Sequence, residues 1–450
     1  VLHGRLSGER IRDWWENTRS SLWFIPAIMA TIAILLSVII PELDRRAFGE
    51  AHSYRRILFY GSPSAARTIL TVIAGSLVTV ISLTFSITLL TLQQASTQFT
   101  PRIMRAFMRH PLNQAVLGAY IATFLYAILV LRRVRDEAAT LSSFVPILAT
   151  TTAILLALVC LGLLVAFLNH SALMLNASTI VENVHADLIA SIERLHPALE
   201  DTPASRTDED LDEFRQRHSA GPSVEVRARS AGYLRIVDDD RLAGLLPEGG
   251  WAIVHPIPGD YVIRGTLLVE AGAVESLDVA AVRDCFILGA ERSLAHDALF
   301  GVRQLADVAL KGMSPAIFDP TTAEHAISCL GDGLAYLSGR AFPEQVRVFE
   351  RGDEAAPVVL WVGRPRFADY VREGFSQLRH VAGDDIHVAL RLLATLEVVA
   401  RHAGGAWRVP VLREVEEMIG QLEQSRLSPG DRVRLRQRAE RILALAEARS

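Results

Sequence analysis

Apolar residues are spread unevenly along this chain: they crowd into the first third as long runs and thin afterwards to short periodic stripes. The runs are Ser21 to Ile40, Ala66 to Leu92, Gln114 to Leu131 and Phe144 to Leu168. Each supplies roughly the 20 apolar residues that an α-helix needs to cross a hydrocarbon core about 30 Å thick. The second run differs from the others because small and hydroxyl residues interrupt it at helical spacing. Thr68, Thr71, Gly75, Thr79, Ser82 and Ser86 recur every three or four positions and so share one helix face, with Gln93 following where the run turns polar. Such a face serves either close packing against a neighbouring helix or contact with water. Its spacing leaves both uses open.

Beyond Leu168 the helical period persists through Leu175, Ile180, Val181, Val184, Leu188, Ile192 and Leu195, which predicts a stalk helix over 171–199. A single apolar stripe needs a cover, from another stalk or from the protein's own soluble part. Residues 200–222 are polar and acidic with Pro203 and Pro222, and read as a linker. From Val224 the period falls to two. Val224 to Ala228, Tyr233 to Val237, Ala252 to Val254 and Tyr261 to Ile263, punctuated by Gly249-Gly250 and Pro258-Gly259-Asp260, predict a small β module over 223–280. Residues 281–450 are expected to form a mostly helical soluble domain, broken by β runs at Gln345 to Glu350 and Val358 to Val362. The expected architecture is an α-helical integral membrane protein: an amphipathic lead at 1–20, four transmembrane helices within 21–170, and a C-terminal soluble α+β region.

Charge divides along the same line. Residues 1–170 hold 15 arginines against 8 acids, which leaves 31 basic against 42 acidic residues for the rest of the chain. An acidic soluble part argues against a nucleic-acid partner, which demands a dense basic surface. The bilayer is the expected partner of the basic half. Arginines are balanced across the loops on the two sides of the membrane, so they do not fix its orientation. The acid-free segment carrying Arg102, Arg105 and Arg109, together with three scattered cysteines, places the soluble part in the cytoplasm as an expectation. The first span has no small-residue cleavage site before the next polar segment and is expected to stay as an anchor.

Candidate chemistry is sparse. No phosphate-cradling loop, zinc-binding helix motif, nucleophile elbow or Cys-x-x-Cys pair occurs, so neither enzymatic activity nor a metal or other cofactor is expected. No charged residue sits at the centre of any span, which argues against a charge-coupled carrier. One polar cluster stands out in the soluble part: Asp307, Lys311, Ser314, Asp319, Thr321 and Thr322, around the only lysine of the chain. Asp319-Pro320 reads as a helix start, and the same residues could hold an anion or small ligand at that helix N-terminus.

Three segments carry a family resemblance. Ser86-Ile87-Thr88-Leu89-Leu90-Thr91-Leu92-Gln93-Gln94-Ala95-Ser96-Thr97-Gln98-Phe99-Thr100-Pro101-Arg102, then Pro258-Gly259-Asp260-Tyr261-Val262, then Leu305 through Ala323 together resemble a bacterial family of predicted membrane proteins, domain-of-unknown-function family 2254. The resemblance implies four spans followed by a soluble domain in a bacterial inner membrane. It implies no activity and no residue roles. Two functions are carried forward: a homo-oligomeric, channel-like protein with the second span lining or packing around a path, and a membrane-anchored sensor or scaffold that binds a ligand or partner near Lys311 and Asp319.

Overall fold

The structure is a computed structural model that describes residues 23–47, 62–98, 111–135, 146–174, 176–199, 210–218, 222–272, 277–351 and 355–447. The expected lead at 1–20 and the arginines at 102, 105 and 109 lie outside the described residues. The chain divides into two compact units, Val1–Thr179 and Ile180–Ser450.

The first unit is built of α1 (Phe24–Ala47), α2 (Pro63–Gln98), α3 (Pro111–Leu131) and α4 (Ile147–Met174). All four are long and apolar enough to cross a membrane. Helices α1, α2 and α4 run past the ends expected from hydropathy, because a helix inside a bundle does not stop where its side chains turn polar, whereas α3 ends at Leu131 as expected. In α1 the expected end before Pro41 fails: the helix carries that proline inside it and continues to Ala47. The extension places Asp44, a buried residue, where its carboxylate accepts the amides of Leu148 at 2.9 Å and Ala149 at 3.0 Å. One span thereby caps the first turn of another, satisfying amides that a helix start leaves unpaired. Helix α3 is the central element, with Val116, Tyr120, Tyr126, Ala127 and Val130 all at zero exposure. It meets α1 closely at Gly118, where a Cβ would lie 2.7 Å from Met29 Sδ and 3.1 Å from Pro26 Cα. Helix α2 turns Ala66, Leu70, Ile73, Ala74 and Leu77 inward.

Helix α5 (Ala177–Leu195) follows, and from Ile180 onward it belongs to the second unit. The expected stalk is therefore a core helix of the soluble unit. Ile180, Val181, Val184, Leu188 and Ile192 are buried, and the cover is supplied by this same chain through α9 (Ala298–Gly312) and α10 (Pro320–Leu337). Leu188 sits against Gly301 of α9 and Gly333 of α10.

The expected linker contains α6 (Leu211–His218). Its polar composition hides one anchor: Phe214 is fully buried, stacks on His218 with ring centroids 4.2 Å apart and meets Trp251 edge-on at 6.3 Å.

The strands are β1 (Ser223–Arg227), β2 (Gly232–Val237), β3 (Trp251–Val254), β4 (Tyr261–Val262), β5 (Leu267–Gly272), β6 (Phe286–Gly289), β7 (Val346–Phe349) and β8 (Val358–Val362). They form a five-stranded sheet in the order β1-β5-β3-β8-β7 and a three-stranded sheet in the order β4-β2-β6. The boundary expected near residue 280 does not separate two bodies. Strand β8 lies beside β3 in parallel, Val254 opposite Val362, so the late strands complete the early sheet. Leu234, Leu242, Val262, Val269, Val282 and Leu360 share the core between the sheets and two short helices, α7 (Asp239–Leu245) and α8 (Val279–Asp284). The acidic triplet Asp238-Asp239-Asp240 starts α7, Asp238 accepting the Arg241 amide at 3.0 Å.

Helices α9 and α10 continue into α11 (Phe367–Ala382), α12 (Ile386–His402), α13 (Arg408–Gln421) and α14 (Pro429–Glu447). The Arg379 guanidinium, 7% exposed, is held between Glu414 and Glu417. His196 is buried between Phe342 and Tyr370 and meets the Tyr370 hydroxyl through Nε2 at 3.1 Å. Burial, with the nearby Arg364 and Arg340 charges, pushes its pKa down to about 4.

Candidate functional site

The hydroxyl face of the second span points away from its own bundle. Thr68, Thr71, Gly75, Thr79, Ser82, Ser86 and Gln93 are all exposed on α2, whereas the residues α2 buries lie on its other side. Packing against the described residues of the chain is thus not what this face serves. Three of these hydroxyls need no outside partner, because each donates to the preceding turn: Thr68 to Ser64 O at 2.9 Å, Ser82 to Val78 O at 2.9 Å, Ser86 to Ser82 O at 2.8 Å. A back-bonded hydroxyl is tolerated in hydrocarbon and leaves a nearly flat surface. At Gly75 a Cβ would meet nothing within 4 Å. Bulky exposed residues flank the strip, Val72, Leu83 and Leu90 on one side and Val78 and Phe85 on the other. The result is a shallow groove of small residues between two apolar ridges, a shape into which a like helix fits.

The soluble cluster around Lys311 is a helix junction. The Asp319 carboxylate accepts the Thr322 amide at 3.1 Å and its hydroxyl at 2.5 Å, with Pro320 in the first turn of α10. Ser314 donates its hydroxyl to Lys311 O at 2.7 Å, and the Asp319 amide reaches Gly312 O at 2.7 Å, which folds the connection back on α9. Asp307 faces Arg303 at 2.7 Å, Lys311 is partly exposed with its pKa lowered by burial, and Thr321 is exposed. Asp319 already holds the Thr322 amide, one of those that an incoming anion could take. No group of three metal-ligating side chains occurs among the described residues.

The segment Pro258-Gly259-Asp260-Tyr261-Val262 has a structural explanation as well. Gly259 adopts φ +101°, and a Cβ there would lie 2.3 Å from Asp297 Oδ2. Asp297 itself is buried, bonded to Arg292 Nε at 2.7 Å, and caps α9 through the Phe300 amide at 3.1 Å. Burial raises its carboxyl pKa, partly offset by Arg292.

A family model described as predicted membrane protein (DUF2254) matches residues 19–398. The chain belongs to that family. Its four apolar helices are the membrane part of this DUF2254 protein, and the matched region continues through the sheets and into α12. Two relatives carry the names Uncharacterized protein Mb1321c, from Mycobacterium bovis, and Uncharacterized protein Rv1290c, from Mycobacterium tuberculosis. Each is 29% identical over 445 residues, covering 96% of this chain and 82% of the relative. No solved structure matches this DUF2254 protein.

The polar residues that stand out in the sequence of the membrane unit are those on the outer face of α2. The buried polar residues sit elsewhere: Thr84 and Thr91 on the inner side of α2, Gln114, Tyr120 and Thr123 on α3, and Thr150, Cys160 and Ser171 on α4. Only the bundle shows that these residues are turned inward.

Proposed function

We propose that this protein is a homo-oligomeric, channel-like protein of a bacterial inner membrane, with copies meeting through the outer face of α2 and the soluble unit in the cytoplasm. The observation that carries the reading is the outward direction of Thr68, Thr71, Gly75, Thr79, Ser82 and Ser86. A groove of small residues on the outside of a bundle has its natural complement in the same groove of another copy, since small residues let helix backbones approach. Around a shared axis, uncharged hydroxyls suit a weakly selective, hydrophilic path.

Single cysteines at Thr79 and Ser82, in a full chain with Cys160, Cys285 and Cys329 replaced by alanine, test the assembly. Oxidation in native membranes is expected to link copies at these positions and not at the inward Ile73. A protein that is monomeric in lipid and never links through the stripe refutes the oligomer. Flux through liposomes tests the path, and silence under voltage, tension and varied ions refutes it. Leucine at Thr79 and Ser82 separates the two roles of the stripe: lost flux with intact assembly marks a path, and lost assembly marks packing.

A further inference from the structure

The turn between α9 and α10 presents four successive apolar residues to the outside. Pro315, Ala316, Ile317 and Phe318 are all exposed, Phe318 at 62%. The turn is held by its own backbone: the amides of Ile317 and Phe318 reach Ser314 O at 3.1 and 2.9 Å, and the Asp319 amide reaches Gly312 O at 2.7 Å. Among the described residues Phe318 is the one non-glycine position with positive φ, at +42°. A bulky side chain avoids that conformation, which glycine adopts freely. Packing against the described residues does not explain a phenylalanine there, since most of its surface is open. An unfavourable backbone that displays an apolar side chain points to something outside the chain.

Three helices fix where this turn lies in the second unit. Helices α5 and α9 run in opposite senses: Leu188 sits against Gly301, while Ser191, further along α5, donates to the carbonyl of Leu294, which precedes α9. Helices α5 and α10 run in the same sense, since His185 meets Asp332 at 2.8 Å and Glu193 accepts the Tyr336 hydroxyl at 2.9 Å. The end of α9 and the start of α10 therefore lie where α5 begins. Leu188 back to Ala177 spans about 16 Å of α5, and Gly301 on to Gly312 spans about 16 Å of α9, so the turn is level with the start of α5. Ala177 follows Met174, the last residue of α4, by three positions, a reach of at most about 11 Å. The apolar stretch of α4 itself runs to Ala172. The covalent chain thus ties this end of the soluble unit to the end of a membrane helix.

We infer that the α9–α10 turn is a lipid contact, with Ile317 and Phe318 entering the interfacial layer of the bilayer beside the Lys311 ammonium. Four residues fall far short of the roughly 20–30 that a stable protein interface uses on each side. A short apolar wedge with a cation next to it suits acyl chains below and anionic headgroups above. Lys311 supplies that cation from the last turn of α9, and the Asp319 carboxylate next to the wedge is committed to Thr322. The contact depends neither on association of copies nor on which side of the membrane carries the soluble unit.

The test uses the full chain with Cys160, Cys285 and Cys329 replaced by alanine, in vesicles of phosphatidylcholine and phosphatidylglycerol. A nitroxide on Ala316→Cys leaves Ile317 and Phe318 in place. Its spin relaxation is compared in oxygen, which concentrates in lipid, and in a water-soluble nickel chelate. A nitroxide on Tyr261→Cys gives the aqueous reference: Tyr261 is exposed and lies two residues from Gly259, which meets the Asp297 cap at the opposite end of α9. The expected result is strong oxygen and weak nickel contact at position 316, and the reverse at position 261. Ile317→Ser with Phe318→Gly should shift position 316 to the pattern of position 261, and glycine at φ +42° keeps the turn. Nickel contact at position 316 equal to that at 261 overturns the proposal. So does shielding from both reagents, which marks a second copy or another part of the chain over the turn. An unchanged oxygen preference in the folded Ile317→Ser, Phe318→Gly protein overturns it as well, and if that pair fails to fold the parent measurement decides.

Discussion

Leu188 gives the sharpest test of α5 as a core helix. Its side chain is fully buried, and its terminal methyls fill space left open by two glycines: a Cβ at Gly301 would lie 2.9 Å from Leu188 Cδ1, and one at Gly333 would lie 2.7 Å from Leu188 Cδ2. Helices this close cannot collapse further onto a void, so Leu188→Ala should fall in the upper part of the range for such truncations, about 3–5 kcal/mol. Gly333→Ala alone forces the leucine methyl aside at about 1–3 kcal/mol, against a gain of about 1 kcal/mol in helix propensity. In the Leu188→Ala background the clash disappears and the new methyl partly refills the void, so the same substitution should become stabilising by about 1 kcal/mol. Urea unfolding of the full chain in detergent, followed through Trp251, Trp361 and Trp407, measures all four corners of the cycle. Equal effects of Gly333→Ala in the two backgrounds refute the packing argument. A Leu188→Ala protein of unchanged stability but altered oligomeric state restores the stalk.

Other expectations follow from groups already described. His196 can be accommodated only in its neutral form, with a folded pKa of about 4 against 6.5 when free. The unfolded chain therefore binds the extra proton as pH falls, and stability that is complete above pH 6.5 should drop by about 1.4 kcal/mol at pH 5.5 and by about 3 kcal/mol near pH 4. Unfolding curves from pH 7.5 to 5 should lose this component in His196→Gln. Gly259→Ala, which combines a left-handed backbone with a Cβ driven into Asp297, should destabilise by at least about 2 kcal/mol in the same assay. Asp319→Ala should cost about 0.5–2 kcal/mol as the loss of a helix cap. A thermal-shift screen in which a small ligand protects the parent protein and not Asp319→Ala would instead identify a binding site there.

How much of this was legible in the sequence depended on whether the signal was local. Spans, the soluble helices and most strands follow from hydrophobic period and capping residues, and Val358–Val362 matches its expected limits. Side-chain direction did not follow. Nothing in the second span says which neighbour its hydroxyls avoid, and that fact became available only once Leu70, Ile73 and Leu77 were seen to take the inner side. Phe214 was hidden for a similar reason: one aromatic residue in an acidic stretch has no period, yet it anchors α6 on Trp251. The junction of β3 with β8 was illegible because parallel pairing joins segments that share no turn.

That junction also constrains the order in which the soluble unit can be made. Strand β3 has every residue from Trp251 to Val254 buried, and β5 covers one of its edges. Its other edge stays open until β8, which begins at Val358, has left the ribosome. During synthesis the growing chain therefore carries a wholly apolar strand with exposed backbone amides and carbonyls, the arrangement that most readily recruits a foreign strand. Any truncation ending between Gly272 and Val358 would make that transient state permanent. Shortened versions of the protein should consequently precipitate, and the smallest soluble version that stays dispersed must reach beyond Val362.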